Sequence, residues 1–99
     1  MSTVGQDREV ANYIVKIRKS GGHTYEHISE VMWRPGGETA TKTCSREAMA
    51  NAITKGVDVR VPATTTAPEA EVRVVPGTTF IQSVADGKWS NNLLALPTF

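Results

Sequence analysis

Phe80-Ile81-Gln82-Ser83-Val84, followed by Asp86-Gly87 and then by Trp89-Ser90-Asn91-Asn92-Leu93-Leu94-Ala95-Leu96-Pro97, decides how this chain folds. It reads as a strand, a tight turn and an apolar tail that must pack on something. Gly87 supplies the positive φ of the turn and Asp86 is a turn residue. The tail acts as a structural strap: Trp89, Asn92, Leu93 and Leu96 carry it, with the leucines as apolar pins and the amides tying loose backbone groups. So apolar an ending leads us to expect that the chain is complete there.

Working back from that stretch, the valine-rich segments before it read as strands. Glu71–Val75 places Val72 and Val74 on one face. Val57-Asp58-Val59-Arg60-Val61 sends three valines to a core and Asp58 and Arg60 to water. Between these two lies a turn-prone connector, Ala63 to Ala70, with Thr64-Thr65-Thr66 and Pro68. One helix is predicted, capped by Ser45, whose hydroxyl can accept a free backbone N–H. It stops at Gly56, which tolerates the left-handed conformation. Its apolar stripe is Ala48, Met49, Ala52 and Ile53. Glu38 to Thr43 reads as a polar loop. Further back, Asn12 to Lys19 alternates with period two, Tyr13, Val15 and Ile17 on one face and Asn12, Ile14, Lys16 and Arg18 on the other. Ser20-Gly21-Gly22 turns the chain into a second strand over His27 to Arg34, antiparallel to the first because the link is too short for a crossover.

The expectation is an α+β fold: an antiparallel sheet of about five strands with one short helix packed on it, in the order β-β-α-β-β-β, and an apolar C-terminal tail. Residues 1–10 lack periodicity and are expected to be a disordered N-terminus; residues 11–99 form a single domain, as the length of 99 residues allows. One short helix and a tail cannot roof five strands, so association with a protein partner or with further copies, a homo-oligomer, is expected to cover the rest.

Composition narrows the function classes. A net charge of +1 gives no global pull toward nucleic acid or an acidic membrane. Cys44 is the only cysteine, so no intramolecular disulfide can form, which suits a reducing cytosol. The polar start lacks the apolar core of a signal peptide, and no stretch approaches a membrane span. The expectation is a cytoplasmic protein of a bacterium or phage, with no membrane partner.

Lys16, Arg18, Arg60 and Arg73 fall on outward strand positions, with Trp33 or Tyr25 as a neighbouring aromatic. Such a face could hold phosphates and stack bases. Glu30, Asp58 and Glu71 lie on the same strands and can pair with those cations, which makes a solvated mixed-charge face the stronger reading. Nucleic-acid or nucleotide binding is therefore the alternative and not the leading function. His23, His27 and Cys44 are zinc-ligand types, but no matching second pair exists, so no metal is expected. Cys44 sits beside the helix N-terminus, which lowers a thiol pKa, yet no base and oxyanion site accompany it. Gly21-Gly22 and Gly36-Gly37 lack the strand-to-helix setting and lysine of a phosphate loop and read as turns. No catalytic residue and no cofactor emerge. The leading expectation is a small non-enzymatic binding module.

One likeness adds to this. Ile53-Thr54-Lys55-Gly56, the valine strand after it, and above all Phe80-Ile81-Gln82-Ser83 leading to Asn92-Leu93-Leu94-Ala95-Leu96-Pro97 resemble domain-of-unknown-function family 3892, small bacterial and phage proteins. The resemblance covers roughly Asn12 to Pro97. Asn91 stands where such tails often carry Asp. The likeness implies the domain boundary and the cytosolic setting and brings no mechanism.

Overall fold

A computed structural model describes residues 11–99; the expected disordered N-terminus over residues 1–10 lies outside them. The described chain runs β1 (Asn12–Lys19), a 3-10 turn (Tyr25–His27), β2 (Ile28–Pro35), β3 (Lys42–Ser45), α1 (Arg46–Thr54), β4 (Val59–Val61), β5 (Ala70–Val74), β6 (Ile81–Ala85) and β7 (Lys88–Ser90). The strands form one sheet in the order β3-β2-β1-β4-β5-β6-β7. The class is α+β. The sheet has seven strands rather than about five, and it is mixed: β1 and β4 run parallel, and every other neighbouring pair is antiparallel. The parallel pair follows from the route. Two antiparallel steps leave β3 pointing the same way as β1, and α1 then carries the chain across to the far side of β1. Such a return needs a crossover and cannot be made by a hairpin.

The two unexpected strands are edge strands, and both are short. β3 was expected as loop because its residues are polar. It pairs only with β2, so it needs no buried alternation of its own. β7 was expected as part of the tail. Asp86 (φ 54°) and Gly87 (φ 76°) instead form a two-residue turn with both central φ angles positive, the hairpin geometry that matches strand twist. It folds Lys88–Ser90 back onto β6.

A bulge overturns the period-two reading of β1. Ile14 pairs with Trp33 and Lys16 with Met32, which leaves Val15 without a partner. One extra residue reverses every side chain beyond it. Ile14 and Ile17, three apart, are therefore both fully buried, whereas Tyr13, Lys16 and Arg18 face out. Other apolar assignments shift less. Val59 and Val61 are buried, but Val57 precedes the strand and is exposed. In α1, Met49 and Ala50 are buried and Ile53 packs on the core, while Ala48 is exposed, so the stripe is rotated by part of a turn. The Ser45 hydroxyl accepts the Ala48 N–H at 3.1 Å, and Gly56 (φ 101°) ends the helix as expected.

The sheet curls around this core. Arg46 donates to the carbonyls of Ile28 at the start of β2 (3.3 Å) and Thr79 just before β6 (3.2 Å), although three strands separate β2 from β6 in the sheet. Its guanidinium lies 4.9 Å from the Phe80 ring centre, and Tyr25 meets the same ring edge-on at 6.0 Å. The tail completes the curl. Leu93 is buried in the core and Leu96 packs against it. Beyond them, the Ile17 N–H donates to Pro97 O (3.0 Å) and the Phe99 N–H to Ile17 O (3.1 Å), so the last residues run parallel to β1. Helix and tail together roof the inner face. Among the described residues only Val57 and Trp89 are large apolar side chains left exposed. The outer face carries Arg18, Glu30, Arg60, Glu71 and Arg73, so the apolar surface that one helix and a tail must cover is smaller than the number of strands suggests.

Candidate functional site

The sheet register builds one continuous row on the outer face. Arg34 pairs with Tyr13, Tyr13 with Arg60, Arg60 with Glu71, Glu71 with Val84, and Val84 with Trp89. Six strands each contribute one side chain, and at about 4.8 Å per strand the row is roughly 24 Å long. Arg34 lies over the Tyr13 ring at 5.3 Å. At the other end Trp89 is 48% exposed. Expected as part of the tail strap, it lies instead on β7 and alternates outward, opposite Ser90, which faces Ser83.

Three of the five cations of this face are matched to carboxylates. Arg18 donates to Glu30 (2.9 Å) and Arg73 to Glu71 (2.8 Å). Arg60 grips both oxygens of Asp58 (3.0 and 3.1 Å) and reaches Glu69 (2.7 Å). The hydrogen bonds to Asp58 and then Glu69 hold its pKa above the ordinary arginine value. The Tyr13 hydroxyl donates to Glu69 at 3.0 Å, which pushes the phenol pKa up; burial and the Glu69 charge add to this and Arg60 partly opposes it. Lys16 and Arg34 have no carboxylate partner among the described residues. Five cations (Lys16, Arg18, Arg34, Arg60, Arg73) therefore meet four carboxylates (Glu30, Asp58, Glu69, Glu71), and the face is close to neutral.

The structure brings together Arg60, Tyr13 and Arg34, places Lys16, Arg18 and Arg73 on the same face, and separates Trp33 from all of them. Trp33 pairs with fully buried Ile14 and so lies on the inner face. Its Nε1 is buried and, among the described residues, lies near the Cys44 thiol without a well-formed hydrogen bond, and Lys42 sits 5.4 Å from the ring centre. The indole helps line an apolar pocket of about 300 Å3 with Asn12, Met49, Ala52, Val57 and Val59. Neighbouring Cys44 is a free thiol whose pKa burial pushes up, with the Trp33 indole partly offsetting this. A raised thiol pKa is the reverse of what a nucleophile needs. His27 accepts or donates at Nδ1 to Thr24 Oγ1 (2.9 Å), and a side chain at Gly22 would meet its ring at 2.5 Å. The histidine thus closes its own turn. Among the described residues no three His, Cys, Asp or Glu side chains gather as a metal site.

The tail residues do what an anchor does. The Asn92 Nδ2 donates to Pro68 O at 3.2 Å. Ser83, the one buried polar side chain among the described residues, accepts the Leu93 N–H (3.0 Å) and bonds Ser90 O and Ser90 Oγ, both at 2.9 Å. One donor and two acceptor positions are all a hydroxyl has, and all are used. Sequence reasoning passed over Tyr13, Arg34, Val84 and the exposure of Trp89. The Asp86-Gly87 dipeptide between two apolar runs was the available signal for β7; nothing local marks the bulge that turns Tyr13 outward.

The chain belongs to the family described as "Protein of unknown function (DUF3892)", which it matches over residues 13–97. The match spans the whole described sheet apart from Asn12, and all but the last two residues of the tail. No curated protein and no solved structure matches the chain. No helix among the described residues is long and apolar enough to cross a membrane.

Proposed function

We propose that this is a non-enzymatic module that binds another polypeptide through the outer sheet face, with Trp89 as its anchor. The observation that supports it is the combination on one face of an open tryptophan and cations of which Arg18, Arg60 and Arg73 already have carboxylate partners. Trp, Tyr and Arg are the side chains that concentrate binding energy in protein interfaces, and a face near neutrality offers little counter-ion release to a phosphate backbone. The single cysteine, a free thiol, suits work in the reducing cytoplasm. Capture from a cell extract tests the reading: a protein retained by the wild type, lost from Trp89→Ala and held between about 50 and 200 mM salt supports it. Capture of nucleic acid that falls steeply over that range, or capture unaffected by Trp89→Ala, contradicts it.

Self-association is the second reading, favoured by the outer edge of β3, which pairs with no strand among the described residues. An open edge is a template for a further strand. Sedimentation of a clean monomer at high concentration contradicts it.

A further inference from the structure

A pocket of about 380 Å3 opens between the connector after β4 and the C-terminal tail. Thr64 shapes one wall: its N–H donates to Ala67 O (2.8 Å), and its hydroxyl accepts the N–H groups of Ala67 (3.0 Å) and Thr66 (3.3 Å). The other wall is Asn91 and Asn92, held to the connector by the Asn92–Pro68 bond. Val61, Leu96 and the two prolines Pro62 and Pro97 form the apolar base. No lining residue carries a titratable side chain.

From this lining we infer a binding site for an uncharged, amide-bearing ligand: a peptide group carrying a small apolar side chain. The lining offers a phosphate or carboxylate no opposite charge, and it offers a cation none. A primary amide offers both donors and an acceptor, as a peptide group does, so Asn91 and the Oδ1 of Asn92, which bonds nothing among the described residues, complement main chain better than they complement an ion. The Thr64 hydroxyl has both acceptor positions filled and lies 3.4 Å from Thr66 Oγ1, so it is the Thr66 hydroxyl that can meet either polarity. The volume lies within the range of small-ligand pockets. The pocket shares no residue with the outer-face row, so it goes beyond the proposed function and its failure leaves that reading standing.

The test is a titration of the full chain with N-acetyl-alanine methylamide, followed in amide NMR correlation spectra, with inorganic phosphate and methyl glucoside as contrasts. The expected result is saturable shifts at the main-chain amides of Thr66 and Ala67 and at the Asn91 side-chain amide. Thr66→Val combined with Asn91→Ala, both at exposed positions, weakens the affinity about tenfold while the rest of the spectrum stays in place. No saturation up to the solubility limit of the probe overturns the inference. So does tighter binding of phosphate or methyl glucoside, or unchanged affinity in the folded double variant.

Discussion

At the scale of single residues, two hydroxyls decide much. Ser83 joins β6, β7 and the tail through one oxygen at full capacity. Ser83→Ala strands the Leu93 N–H in a dry site, and an unsatisfied buried group costs about 1–3 kcal/mol. Since about 1 kcal/mol moves the midpoint of a domain this size by about 4–8 °C, thermal unfolding should show the loss plainly. Tyr13 reports on the outer face. Its phenol is held protonated because its O–H donates to Glu69. In a Tyr25→Phe background, ultraviolet titration should find the remaining tyrosine ionising above the ordinary phenol value of about 10, and Glu69→Gln should bring it down. The sign follows for stability. With the folded pKa raised, the contribution is fully present below the unfolded phenol pKa and is lost as pH rises through the folded value.

At the scale of elements, the sequence was most legible where local chemistry forces one outcome. Ser45 and Gly56 bracket α1 as their capping chemistry requires, and the strands β2, β5 and β6 fall within a residue or two of the apolar runs that announce them. It was least legible where pairing decides. Val15 is an ordinary β-branched residue, and only the partner strand makes it a bulge. Lys42–Ser45 is a strand because β2 lends it hydrogen bonds. The parallel step from β1 to β4 depends on where α1 lands, which no local pattern encodes. The site followed suit. That Lys16, Arg18, Arg60 and Arg73 share a face could be read from alternation; that Trp33 lies behind it and Tyr13 on it could not, because the bulge intervenes. The β6–β7 turn gives a test at this scale. A side chain at Gly87 meets nothing within 4 Å, so Gly87→Ala costs only the left-handed backbone penalty, about 1–2 kcal/mol. Urea unfolding should return that value. A neutral result would mean that the turn does not hold both φ angles positive.

At the scale of the whole molecule, one curled sheet separates two environments. The inner face is filled by side chains from helix, sheet and tail; the outer face is polar and almost charge-balanced. Its ion pairs are half exposed, with side-chain accessibilities of 42–57% for the Arg18–Glu30 and Arg73–Glu71 pairs, and pairs in such a setting contribute about 0–1 kcal/mol each. The Arg73 guanidinium bonds only Glu71 among the described residues, so Arg73→Ala should leave the denaturation midpoint nearly unchanged. The central claim is that this face suits polypeptide and not phosphate. The most direct measurement is the fluorescence anisotropy of a labelled single-stranded oligonucleotide titrated with the wild type and with Arg18→Glu/Arg60→Glu at about 50 mM salt. The account predicts no saturable rise for either protein. A saturable rise with the wild type that collapses on adding salt and disappears in the charge-reversed variant would contradict it.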